Sequence, residues 1–329
     1  MEFTAEIRKA TEPIYKKISK AVPEIEWPSH APYIYEINKL KKEKNAVILA
    51  HNYQTPEIYH GISDFSADSL ALAVEAAKTK ADIIVMCGVH FMAETAKLMS
   101  PNKKVLLPDM TAGCSLSSSI TGEDVKNLKR KYPGVPVVSY VNTSADVKSE
   151  TDVCCTSANA VKIVNSLGVR KVIFLPDDYL AKYVASQTDV EIISWKGTCE
   201  VHEQFNDEEI NEIRKSNPGI KVIAHPECPP DVIQASDFTG STSGMIKYVK
   251  DNQPEKVMMV TECSMSDNVQ VDNPNVKFIR PCNLCPHMKK ITLPKILDCL
   301  QNETNEIIMS KEVIEKAKRS VERMTKIGR

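Results

Sequence analysis

The chain has 329 residues, 26% of them charged and 42% apolar, and a net charge of −1. That length buries a large core over two or three domains, and so balanced a charge gives no field to draw the chain to nucleic acid or an anionic membrane. No apolar run reaches the roughly 18 residues of a membrane span, and the opening MEFTAEIRKATEPIYKKISK lacks the apolar core of a signal peptide. The expectation is a cytoplasmic protein.

Residues 1–40 carry Ile7, Ile14 and Ile18 at roughly helical spacing, which predicts a helical flank. AVILAHNY (46–53) then reads as a strand, DSLALAVEAAKTK as a helix, ADIIVMCGVHFM (81–92) as a second strand and KKVLLPDMTAGCSL (103–116) as a third. The same succession returns as VPVVSYVNTS (135–144), TSANAVKIVNSLG, VRKVIFLPDDYL (169–180) and VEIISWKGTCEVHE (190–203). It returns again as IKVIAHPECPP (220–230), TSGMIKYVKDN, PEKVMMVTECSM (254–265) and VKFIRPCNLCPHM (276–288). Short apolar runs alternating with amphipathic helices predict parallel β-α-β units. A period of about 85 to 90 residues is too long for a solenoid and suits a small α/β module.

The expected fold is therefore α/β: three pseudo-threefold-related αβα modules with short parallel sheets around a central active site. Their bounds are 1–114 plus 286–329, then 115–199, then 200–285. The tail SKEVIEKAKRSVERMTKIGR sets Val313, Ile314, Ala317, Val321 and Met324 along one helical face. Both flanks are expected to pack together on the first module.

Ten cysteines in a chain with no export signal point to packing, metal binding or chemistry rather than disulfides. The third run of each repeat ends in one: Cys114, Cys199 and Cys285, spaced 85 and 86 residues apart. A threefold arrangement would bring the three to one axis. Three thiolates with a vacancy suit zinc completed by His202 or His287, or an iron–sulfur cluster with one iron left open; buried packing is the third reading. Cys282 is a thiol beside the ligands that does not itself bind the metal, a redox partner or a bystander. Cys154 and Cys155 are adjacent and point to opposite faces of a strand, and Cys87, Cys228, Cys263 and Cys299 sit in or beside apolar runs, where packing is the default.

All three first runs end in polar residues: His51, Asn52 and Tyr53; Tyr140, Asn142 and Thr143; His225 and Glu227. Ligands of parallel α/β sheets bind beyond the carboxyl ends of the strands, so these groups form a candidate site. The helices that follow open with Asp68-Ser69, Thr156-Ser157 and Ser241-Thr242-Ser243. These are ordinary N-caps that also present N–H groups to an anion, a carboxylate or a phosphate. No P-loop or G-x-G-x-x-G is present, which argues against ATP and dinucleotides.

AHNYQTPE, ADSLAL, VHFMAETAK, GCSL, YVNTSADVK, CTSANA, FLPDDYLA, HPEC, GSTSGM and CPHM, in this order, resemble the quinolinate synthase family over residues 46 to 290. The resemblance implies condensation of iminoaspartate with dihydroxyacetone phosphate to quinolinate, with loss of phosphate and water, in NAD biosynthesis. It implies a [4Fe–4S] cluster on Cys114, Cys199 and Cys285 whose open iron is a Lewis acid. It places proton transfer on Tyr53, a general acid/base on Glu227 and a substrate-binding histidine on His225, with His51 beside Tyr53. It assigns Ser69, Ser157 and Thr242, with adjacent Ser241, to carboxylate or phosphate oxygens, and Tyr140 and Asn142 to the intermediate. Coupling to L-aspartate oxidase or aspartate dehydrogenase, the source of iminoaspartate, is implied too.

Two positions depart from the family pattern. Ile279 stands where some members have the first cysteine of a C-x-x-C-x-x-C, and Ser264 where many have glycine. The competing reading is a non-catalytic metal-binding or redox-sensing protein that uses Cys282 and Cys285 as a switch. A sensor has no need of His51, Tyr53, Tyr140, His225 and Glu227 together.

Overall fold

A computed structural model describes residues 1–328. Helices α1 (Ala5–Ile18) and α2 (Trp27–Glu43) precede a first set: β1 (Ala46–His51), α3 (Pro56–Tyr59), β2 (Phe65–Ala67), α4 (Ser69–Lys78), β3 (Ile83–Cys87), α5 (His90–Met99) and β4 (Lys104–Leu106). After α6 (Ser115–Ser118) and α7 (Gly122–Lys131) the set recurs. Its members are β5 (Val137–Tyr140), α8 (Ala145–Ser149), β6 (Val153–Cys155), α9 (Ala160–Ser166), β7 (Lys171–Leu175), α10 (Asp178–Ala185) and β8 (Glu191–Ser194). Helix α11 (Asp207–Ser216) opens the third set. It continues with β9 (Lys221–Ala224), α12 (Pro230–Gln234), β10 (Phe238–Thr239), α13 (Thr242–Asn252), β11 (Lys256–Val260), α14 (Cys263–Asp272) and β12 (Lys277–Ile279). Helices α15 (Leu293–Asn302) and α16 (Lys311–Ile327) follow.

The strands form three four-stranded sheets with one order: β2-β1-β3-β4, β6-β5-β7-β8 and β10-β9-β11-β12. Pairing is parallel, as in Ile48 opposite Val85 and Val138 opposite Phe174. Helices cover the sheets, so the central strands are mainly apolar; every residue of β3 is buried. The threefold α/β architecture expected from the repeats is the architecture found.

Each sheet also has a fourth strand, β2, β6 or β10, that the apolar runs do not reveal. One device fixes all three. The N–H of Asp64 donates to Ile48 O at 2.9 Å while its carboxylate accepts from Ile48 N at 2.8 Å. Asp152 does the same to Val137 at 3.1 and 2.7 Å, and Asp237 to Val222 at 2.7 and 2.8 Å. Each aspartate thus docks the entry of a short edge strand onto the first strand of its module.

Caps follow the sequence except in the second module. Asp68 caps α4 by accepting from Ala71 N, and Ser241 caps α13 by accepting from Gly244 N. Helix α9 starts later than Thr156-Ser157, at Ala160, because the Asn159 side chain accepts from Thr156 N at 2.8 Å and holds 156–159 as a turn.

The chain divides into two compact units. One comprises Met1–Ala112, Glu262–Lys277 and Leu284–Ile307. It holds the first sheet, with α2 against β1 and α15 against α2 and β3. The other comprises Gly113–Thr261, Phe278–Asn283 and the stretch from Ile308. Here α16 buries Ala317, Val321 and Met324, the face expected of it. It lies on α8, α9 and β6 of the second sheet rather than with the N-terminal flank on the first. Ser320 explains the preference: its hydroxyl donates to Lys148 O at 3.0 Å and lies 3.4 Å from Cys154 Sγ. Among the described residues no helix is long and apolar enough to cross a membrane.

Candidate active site

In the second unit, the start of α6 and the loop after β8 are stitched by one hydroxyl. Ser115 Oγ donates to Thr198 O at 3.1 Å and accepts from Glu200 N at 3.2 Å, so Cys114 and Cys199 sit on adjoining segments. Gly197 makes the approach possible. Its N–H reaches Pro176 O at 3.0 Å, and a Cβ there would lie 2.6 Å from that same oxygen. Burial pushes the Cys199 thiol well up, and the neighbouring Glu227 carboxylate and Cys114 thiol push it further.

A chain of polar groups runs from Cys199 inward. His202 Nδ1 lies 3.1 Å from Cys199 Sγ and 2.9 Å from Glu227 Oε2, and its Nε2 is 2.9 Å from Thr261 Oγ1. Tyr140 donates its phenolic O–H to Glu227 Oε1. Glu227 is only 3% exposed. Burial alone would raise its pKa, but His225 and His202 beside it, with the bonds from His202 and Tyr140, hold the carboxyl well below the usual range.

His225, at the end of β9, accepts from Glu227 N through Nδ1 at 3.4 Å, which leaves the ring proton on Nε2. That nitrogen lies 3.0 Å from Ser157 Oγ, so the imidazole donates and the serine O–H points onward. Asn142, two residues past β5, has a buried Oδ1 with no hydrogen-bond partner among the described residues. Ser241 is buried, 3.2 Å from Ser243 Oγ, and Thr242 opens α13. Asp177, which caps α10 through Leu180 N, is fully buried; burial and then the Glu227 charge push its carboxyl far above the usual range.

The first unit holds the other candidates. His51 ends β1 and repeats the His225 turn: Nδ1 accepts from Tyr53 N at 3.3 Å, and the two rings meet edge-on at 4.7 Å. Ser69 is half-buried at the start of α4, next to its Asp68 cap. Cys285 lies in an irregular stretch ahead of the turn Met288–Lys290, and its N–H reaches Glu262 Oε1 at 3.4 Å. Burial raises its thiol as well. Cys282 is exposed, and His287 is half-buried.

The donor set suits a thiolate-bound metal group. Burial disfavours a bare thiolate at Cys199 and Cys285, and a bound cation reverses that preference. Cys114, Cys199 and Cys285 are half-buried, whereas Cys87, Cys154, Cys155, Cys228, Cys263 and Cys299 are buried as packing residues. Cys199, His202 and Glu227 also place their ligand atoms within 4.8 Å of one another.

The family model described as quinolinate synthetase A protein matches residues 35–326. The chain belongs to this family. Quinolinate synthase of Sinorhizobium fredii is 57% identical to it over 327 residues, 99% of this chain and 91% of that protein. Quinolinate synthase of Xylella fastidiosa is 58% identical over 294 residues, covering 89% and 87%. Quinolinate synthase 2 of Mesorhizobium japonicum is 57% identical over 311 residues, covering 94% and 96%. The chain is thus an enzyme of the quinolinate synthase family.

Sequence reasoning about this family member overlooked Asp177, Thr261, Glu262 and Lys289. The first three lie near the end of the second run of a repeat, in FLPDD and MVTEC. A search for polar residues at the ends of the second runs, as made for the first runs, would have found them.

Proposed function

We propose that this enzyme condenses iminoaspartate with dihydroxyacetone phosphate to quinolinate, releasing phosphate and water, in de novo NAD biosynthesis in the cytoplasm. Cys114, Cys199 and Cys285 would hold a [4Fe–4S] cluster, which supplies a Lewis-acidic iron for a hydroxyl or carboxylate oxygen. Iminoaspartate would come from L-aspartate oxidase or aspartate dehydrogenase.

Glu227 accepts a proton from the substrate and returns it, with Tyr140 and His202 holding both carboxylate oxygens in place. Ser157, oriented by His225 Nε2, donates to a carboxylate or phosphate oxygen. Ser69, Ser241 and Thr242 serve the same oxygens without adding charge. Asn142 Oδ1 accepts an N–H or O–H of the intermediate, the partner it otherwise lacks. His51, whose Nδ1 accepts from Tyr53 N, binds the substrate, and Tyr53 moves a proton in isomerisation of the triose portion. Burial of Glu227, His202 and His225 shields a reactive imine from water.

One observation carries this reading: the buried Tyr140–Glu227–His202 chain reaches Cys199, one of two thiols on adjoining loops. The test is an anaerobic assay for quinolinate from the two substrates, with iron and sulfide quantified in the same sample. The expected content is about four iron per chain, lost in Cys199→Ala and kept in Cys282→Ala. Glu227→Gln keeps the iron and loses roughly 10²–10⁴-fold in turnover. Wild-type iron in Cys199→Ala, or full turnover in Glu227→Gln, refutes the assignments.

A further inference from the structure

Within the first unit, Lys289 and Glu262 form an ion pair at 2.9 Å whose carboxylate is fully buried. All three protons of the ammonium have acceptors: Glu262 Oε1, Tyr53 O at 2.8 Å and Ser264 Oγ at 2.7 Å. Glu262 in turn accepts from Ser264 N at 2.9 Å through Oε2 and from Cys285 N at 3.4 Å through Oε1. Ser264 supplies two of these contacts, through its backbone N–H and its hydroxyl.

The loop that carries Tyr53 is held at every carbonyl. Asn268 Nδ2 donates to Asn52 O at 3.1 Å and to Gln54 O at 2.7 Å, and Lys289 takes the carbonyl between them. Gln54 Nε2 reaches back to Met288 O at 3.4 Å. A buried ion pair is seldom the most stable filling of a site, and apolar residues of like volume do as well or better. Here both charges are spent on backbone atoms of two site residues. We propose that Lys289 and Glu262 are positioning residues that set the Tyr53 loop and the Cys285 loop in one fixed register.

The proposal rests on the reading of Tyr53 and Cys285 given above, deepens it, and is separable from it by experiment. Two variants are compared with wild type: Lys289→Met, and Lys289→Met with Glu262→Gln. The double variant leaves no orphan charge, and the one amide oxygen of the glutamine can accept from Ser264 N or from Cys285 N, but not from both in the native geometry. Both are loaded with iron and sulfide anaerobically and followed by thermal unfolding, by kcat and KM, and by the rate of iron release to a ferrous chelator.

The double variant is expected to unfold near the wild-type temperature, yet to lose roughly ten- to a hundredfold in kcat with a much smaller change in KM. Its iron should leave faster than wild-type iron, and Lys289→Met should release it faster still. A double variant with wild-type kcat and wild-type iron release makes the pair a stability element and overturns the proposal. So does a double variant that no longer folds while wild type does. Wild type that takes up no iron refutes the cluster reading itself, a failure recognised in the control alone.

Discussion

His60 closes the short helix α3, half-buried, with its ring edge-on to Tyr59 at 4.7 Å. Its Nε2 has no hydrogen-bond partner among the described residues. Burial, and then the charge of Lys17, pull its pKa down from 6.5 to about 4. The unfolded chain therefore binds a proton that the native chain refuses as pH falls from 6.5 toward 4. Native stability must drop through that window by on the order of 1 kcal/mol at pH 5, after discounting for partial exposure. His60→Gln removes this loss. Urea midpoints at pH 7 and pH 5 should show the variant gaining on wild type at the lower pH; an equal offset at both means His60 charges freely in the fold. The same burial argument sorts the cysteines. Adjacency and apolar neighbours marked Cys87, Cys154, Cys155, Cys228, Cys263 and Cys299 for packing, and all six are buried. Tyr53, His225 and Glu227 could be picked out by their place at strand ends. Lys289 could not, because its partners lie 236, 27 and 25 residues away in sequence and no local pattern joins them.

Among the elements, the long apolar runs were readable because parallel strands covered on both faces are apolar throughout. The edge strands β2, β6 and β10 were not. They span three, three and two residues, too short for any period to register. Their signal lies in the aspartate before each: Asp64-Phe65, Asp152-Val153 and Asp237-Phe238, visible only once the three repeats are aligned. The placement of α16 was unreadable for another reason. Its apolar face fixes which side is buried, while Ser320 and the groups it meets on α8 and β6 choose the surface. The aspartate device makes a clear prediction in the second module, where the Asp152 carboxylate binds Val137 N. Asp152→Ala leaves the backbone bond to Val137 O and removes the bond to Val137 N, which should cost about 1–2 kcal/mol. Asp152→Asn, which can still accept, should cost less. The effect should show as faster amide exchange along β6 at equal protection of β7. Uniform loss across the sheet would mean the aspartate supports the whole module rather than its edge.

At the scale of the whole molecule, the repeat explains both what could be read and what holds the chain together. Each module has an apolar core of its own. Val125, Val137, Val147, Ile173 and Leu175 pack in the second, and Ile210, Val222, Val232, Met258 and Val260 in the third. Neither Cys114 nor Cys199 belongs to these clusters, and the core of the first unit, with Ile34, Ile48, Ile84 and Leu98 fully buried, does not draw on Cys285. A bound metal group is therefore a guest of folded modules, unlike the metal of a small zinc domain, whose binding energy is its folding energy. Stripping iron anaerobically with a chelator should leave the far-UV circular dichroism unchanged and the thermal transition cooperative. The melting temperature should fall only by the mass-action term for a ligand bound to the native state, and reloading iron and sulfide should restore it. If the stripped chain instead loses cooperative unfolding, the thiols help build the fold and do not merely line a finished site.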